Sequence, residues 1–93
     1  MAEGKQRKEV VYSGHVQGIG FRYTTRQIAS QFDVAGFVRN LSGGQVHLVV
    51  EGERAELRQF LTKIATTFAG KVTNTQVEDG VSRDKFSGFE IRI

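Results

Sequence analysis

The chain has no cysteine, no proline and no tryptophan, and only two histidines, His15 and His47. Without cysteine, disulfides and thiolate chemistry are excluded, and the redox compartment is left open. With two histidines, a metal site would depend mainly on carboxylates, and no metal is expected. Without proline, prolyl isomerisation drops out as a slow folding step. No apolar run approaches a membrane span and no signal peptide is visible, so the expectation is a cytoplasmic protein with no membrane partner.

What remains is ordinary globular material. The 93 residues make one small domain with a single core, and the hydrophobic (39%) and charged (25%) fractions fit a soluble fold. The net charge of +3 is unevenly placed. Residues 10–50 carry Arg22, Arg26 and Arg39 against Asp33 alone, whereas residues 51–93 balance seven bases against seven acids. That middle segment would draw small anions. It lacks the dense basic stripe of a nucleic-acid footprint, so no nucleic acid is expected as partner.

The periodicity predicts strand, helix, strand, strand, helix, strand. Val10, Val11 and Tyr12 sit in a short strand over Glu9 to Ser13. Phe21, Ile28, Ala29 and Phe32 keep one helical face, with Gly36 as helix stop and turn. Phe37 to Asn40 and Val46 to Glu51 flank Leu41-Ser42-Gly43-Gly44 as a hairpin. Leu57, Phe60, Leu61, Ile64, Ala65 and Phe68 then recur every three or four residues, and Gly70 ends that helix. Phe89 to Ile93 alternates as a final strand. Val72 to Val77 is the weakest strand, its two valines falling on opposite faces unless a bulge intervenes. The order βαββαβ predicts a ferredoxin-like α+β sandwich, an antiparallel sheet with two helices packed on one face. Residues 1–8 read as a mobile polar tail and residues 9–93 as the domain.

Gly14-His15-Val16-Gln17-Gly18-Ile19-Gly20-Phe21-Arg22 is the most informative stretch. Its glycines permit close backbone approach and positive φ. Free amides at a helix start point outward with the positive end of the helix dipole. Arg22 adds a planar fork matched to phosphate oxygens. A phosphate site and a strand-to-helix turn that needs glycine only for geometry both fit this loop. Other phosphate loops fit less well: no lysine and hydroxyl residue follow in the Walker arrangement, and Tyr23 occupies the last glycine of a dinucleotide fingerprint. A cysteine phosphatase loop has no nucleophile here.

Read as Gly14-x-Val16-Gln17-Gly18-Ile19-Gly20-Phe21-Arg22, the loop resembles the signature of the acylphosphatases. A second motif of that family is matched by Gly36-Phe37-Val38-Arg39-Asn40, with Gly43-Gly44 and Val46 following. The resemblance spans about residues 9–93. Phe37 stands where a tryptophan is frequent, and Ala69-Gly70-Lys71 lacks a proline often seen there; both bear on local packing.

The resemblance implies hydrolysis of the carboxyl–phosphate bond of acyl phosphates, with inorganic phosphate as product and neither metal nor cofactor. Arg22 would bind the phosphoryl group together with backbone amides of His15, Val16, Gln17, Gly18, Ile19 and Gly20, and Asn40 would orient the attacking water. Monomers are the family's leaning. A carboxylate is a good leaving group, so no strong general acid is required. A loose phosphoryl transition state asks mainly for positioning and charge stabilisation. A neutral amide can hold water beside a phosphate dianion where a carboxylate would be repelled.

The other polar residues have plainer readings. His15 is a spectator, His47 an outward-facing strand residue, and Arg26 a solvated helix arginine. Arg39 points away from Asn40 across the strand. Two other classes remain: a non-catalytic acyl- or carbamoyl-phosphate-binding module of the same fold, as in larger maturation proteins, and a ferredoxin-like RNA-binding module. A chain running from its methionine to a last strand favours a free-standing protein over the first. Tyr12 as the lone aromatic of the first strand disfavours the second.

Overall fold

The computed structural model describes residues 4–93. Five strands and two helices follow in the order β1 (Gln6–Gly14), α1 (Phe21–Ala29), β2 (Val34–Asn40), β3 (Val46–Gly52), α2 (Arg54–Thr67), β4 (Val72–Val81) and β5 (Phe89–Arg92). They form one sheet in the spatial order β4-β1-β3-β2-β5. β1 pairs antiparallel with β3 and β4, and β2 antiparallel with β3. The edge strand β5 runs parallel to β2. The ferredoxin-like α+β architecture therefore stands, but the sheet is mixed rather than wholly antiparallel.

The helix face of the sheet is built by alternation. Val10, Tyr12, Val38, Val46, Leu48 and Val50 point the same way and are buried. α1 answers with Phe21, Ile28 and Ala29, and α2 with Leu57, Phe60 and Ile64. The rings of Phe21 and Phe68 stack at 4.1 Å, joining the start of one helix to the end of the other. Leu61 and Ala65, which share the helical period, lie at the rim, so the buried stripe of α2 is narrower than its sequence pattern. Burial leaves the Tyr12 phenol with a pKa well above its ordinary value.

Three boundaries differ from the sequence reading. β1 begins at Gln6, where it pairs with both Gly52 and Val81, so residues 6–8 belong to the sheet and not to a tail. Met1, Ala2 and Glu3, the start of that expected tail, lie outside the described residues. Gly36 does not stop α1; it lies inside β2 with φ 153°, and a β-carbon there would run into the Val49 carbonyl. β4 continues four residues past Val77 as an exposed edge. Its register against β1 shifts between Ser13 and Gly14, passing over Thr73. That bulge brings Val72 and Val77 to one face.

The opposite face of the sheet carries polar side chains. Glu51 is 4% exposed and accepts hydrogen bonds from Arg7 Nη1 (3.1 Å), Ser82 Oγ (2.8 Å) and the Arg83 amide (2.9 Å). Burial alone would raise the pKa of this carboxyl; the Arg83 amide, Ser82 hydroxyl and Arg7 guanidinium outweigh it and hold the value below the ordinary range. These bonds tie the segment after β4 across the sheet. No helix among the described residues is long and apolar enough to cross a membrane.

Candidate active site

The glycine loop leaves β1 and delivers the chain to α1 through two left-handed residues, Gly18 (φ 78°) and Gly20 (φ 79°). Gly20 is also the N-cap of α1, and no side chain caps the helix there. The first amides of α1 therefore face outward beside the loop, with no acidic residue in the first turn to oppose an anion.

The loop is held from both sides. The His15 amide donates to Lys71 O at 2.8 Å, next to the start of β4. Gln17 Nε2 donates to both Leu41 O and Gln45 O at 2.8 Å, bridging the turn of the β2–β3 hairpin. Gln45 in turn donates from Nε2 to Ser13 Oγ at 3.0 Å, closing the link back to β1. Val16, 1% exposed, plugs the loop into the core, and Ile19 packs against it.

A cavity of about 190 Å³ opens on this loop. Val16, Gly18 and Gly20 line it with Arg22 and Asn40. Asn40 reaches it because it ends β2 on the same face as buried Val38, where the strand meets the start of α1. Arg22 Nη1 donates to Arg92 O at 3.4 Å on the neighbouring end of β5. Among the described residues, Arg22 is the sole charged side chain of the lining. The side chains of His15, Gln17 and Ile19 are not part of it: His15 is exposed, Gln17 faces the hairpin and Ile19 the core.

Two lining residues escaped the sequence reading. Tyr23 directly follows Arg22 on α1, and Ile91 arrives on β5 opposite Val38. No local pattern marks Tyr23, and only the parallel β2–β5 pairing brings Ile91 near. The residues set aside do lie elsewhere. His47 accepts from Arg39 Nε at Nδ1 (3.1 Å) and meets Glu9 Oε1 through Nε2 (3.1 Å), all on the opposite sheet face. Arg26 lies over the Tyr23 ring at 5.6 Å.

As a binding site the cavity offers one guanidinium, one neutral amide and outward backbone donors, a set suited to a phosphate group. Among the described residues no group of three or more His, Cys, Asp or Glu side chains is arranged to hold a metal ion. A larger groove of about 860 Å³, between α2 and the β1–β4 edge, contains no residue of either motif.

The family model for acylphosphatase matches residues 8–91. The chain belongs to the acylphosphatase family. On that footing it is a hydrolase of the acylphosphatase type. It is 45% identical to an acylphosphatase of Thermotoga petrophila, over 85% of this chain and 88% of that one. It is 36% identical to an acylphosphatase of Archaeoglobus fulgidus, over 89% and 93% of the two chains. The crystal structure of acylphosphatase from Bacillus subtilis matches with a TM-score of 0.87 at 29% identity, covering 95% of this chain and 99% of that chain.

Proposed function

We propose that this acylphosphatase acts through Arg22, Asn40 and the amides of the 16–20 loop, the His15 amide being taken up by Lys71 O, and attacks the phosphorus of an acyl phosphate with water. The phosphoryl oxygens lie against the loop amides and the Arg22 guanidinium, which neutralise charge as the acyl oxygen departs. Asn40 holds the water on the opposite side of phosphorus. A new P–O bond forms, the P–O bond to the acyl group breaks, and its electron pair leaves with the carboxylate. The water proton passes to a phosphate oxygen, so the products are a carboxylate and inorganic phosphate, and no side chain acts as base.

What carries this reading is the meeting of Arg22 and Asn40 on one cavity with the glycine loop, and a lining free of carboxylates among the described residues. An acid there would repel the dianionic substrate and compete for Arg22. Hydrolysis of benzoyl phosphate in the presence of EDTA tests it. The native chain should turn over. Arg22→Ala should weaken substrate and inorganic phosphate alike and lower kcat by roughly 10²–10³-fold, the cost of removing one preorganised donor. Persistence of full activity in Arg22→Ala would place the reaction elsewhere. Loss of the native pH–rate inflection in His15→Ala would contradict the base-free step.

A further inference from the structure

The phosphoryl group accounts for the polar part of the cavity but leaves its apolar mouth unexplained. Val16 and Phe21 are 1% and 2% exposed and belong to the core, so they offer a ligand little surface. Tyr23, by contrast, is 55% exposed. Its ring is held rather than loose: Gln27 Nε2 donates to the phenol oxygen at 3.3 Å, and the Arg26 guanidinium stands 5.6 Å from the ring centroid. Across the opening, Ile91 projects from β5. A second depression of about 580 Å³ begins at Tyr23 and runs along α1 to Phe32 and Phe89. Tyr23 thus borders both the phosphate cavity and a longer groove of mixed character, in which Arg26, Gln27 and Ser30 stand beside Phe32 and Phe89.

Resting on the function proposed above, we infer that Tyr23 and Ile91 form the subsite for the acyl group, and that Tyr23 selects aromatic or extended apolar acyl chains over acetyl. An acyl phosphate seated with its phosphoryl group on the loop must send its carbonyl substituent out of the cavity mouth, past these two side chains. A methyl group is too short to cover the Tyr23 ring. A phenyl ring or longer chain removes its face from water, and the groove beyond leaves room for it. The phenol oxygen, already bonded to Gln27, keeps the ring edge fixed, so little side-chain entropy is lost on binding.

Non-hydrolysable phosphonates separate this subsite from the chemistry. Calorimetric affinities are measured for phenacylphosphonate, acetonylphosphonate and inorganic phosphate with the native chain, Tyr23→Phe and Tyr23→Ala. The native chain should prefer the phenacyl compound over the acetonyl compound. Tyr23→Ala should lose about three- to tenfold of phenacyl affinity, the scale of one aromatic contact. Its affinity for acetonylphosphonate and phosphate should change by less than about twofold, and Tyr23→Phe should retain the preference. Equal weakening of all three ligands, an unchanged preference in Tyr23→Ala, or no phenacyl preference in the native chain would overturn the assignment. A phenacyl preference lost in Tyr23→Ala, in a chain that fails to hydrolyse benzoyl phosphate, would keep the subsite and discard the proposed catalysis. Hydrolysis with the preference intact in Tyr23→Ala would do the reverse.

Discussion

At the scale of single residues, the proposed mechanism divides labour between a cation and an amide. With its planar guanidinium fork, Arg22 would serve ground-state and transition-state phosphate alike in the proposed mechanism. Asn40 carries no charge, and its contribution depends on where it holds a water. Asn40→Ala should therefore depress kcat strongly while leaving the inhibition constant of inorganic phosphate within about twofold, as expected for an interaction made mainly in the transition state. Steady-state kinetics with phosphate as competitor checks this; lost phosphate affinity with turnover unchanged would reverse the roles. Glu51 supplies a prediction about stability. Its folded-state pKa lies below the unfolded value, so its stabilisation is fully present above the unfolded pKa and is lost as pH falls toward the folded one. Urea midpoints followed from neutrality into the acid range should fall more steeply for the native chain than for Glu51→Gln. Parallel slopes would mean that the carboxylate cluster around Arg7, Ser82 and Arg83 is energetically silent.

At the scale of elements, the site depends on how the glycine loop is joined to the β2–β3 hairpin. Gln17 supplies two donors to the hairpin turn at 2.8 Å. Gln45 O also accepts from the Leu41 amide at 2.8 Å, so removing the Gln17 amide deprives Leu41 O more than Gln45 O. Gln17→Leu should cost about 1–3 kcal/mol of stability, the range for an abandoned buried partner, and lower kcat/KM by loosening the loop against Asn40. Denaturation and kinetics on the same variant measure both effects; unchanged kinetics would make the bridge purely structural. Gly36 is the other critical joint, because β2 passes too close to β3 there for a side chain. Gly36→Ala should destabilise by roughly 2–5 kcal/mol through overpacking and backbone strain together, read as a lowered thermal midpoint.

These two positions also mark where the sequence was legible at this scale and where it was not. α2 could be read because its apolar residues repeat with the helical period. The loop, Arg22 and Asn40 could be read from their residue types and motif resemblance. Gly36 misled, since glycine most often ends a helix and here relieves a close approach between strands. The length of β4 was hidden because an edge strand with polar, exposed side chains has no burial pattern, and its pairing with β1 supplies what sequence periodicity lacks.

At the scale of the whole molecule, the topology is what assembles the cavity. The glycine loop follows β1, Asn40 ends β2, and Ile91 lies on β5, yet the order β4-β1-β3-β2-β5 brings their ends together under the start of α1. The parallel β2–β5 pairing, absent from the expected antiparallel sheet, is what places Ile91 at the cavity and Arg92 O within reach of Arg22. Long-range pairing of this kind leaves no trace in local patterns, which explains why the phosphate half of the site was visible in the sequence and the apolar half was not.

Water attack on the phosphorus of an acyl phosphate, as proposed, leaves its signature in where the new oxygen appears. Benzoyl phosphate is hydrolysed by the native chain in heavy-oxygen water with EDTA present, and both products are analysed by mass spectrometry. Attack at phosphorus predicts the label in inorganic phosphate and none in benzoate. Label in benzoate, or no hydrolysis above the uncatalysed rate, would rule out the proposed mechanism.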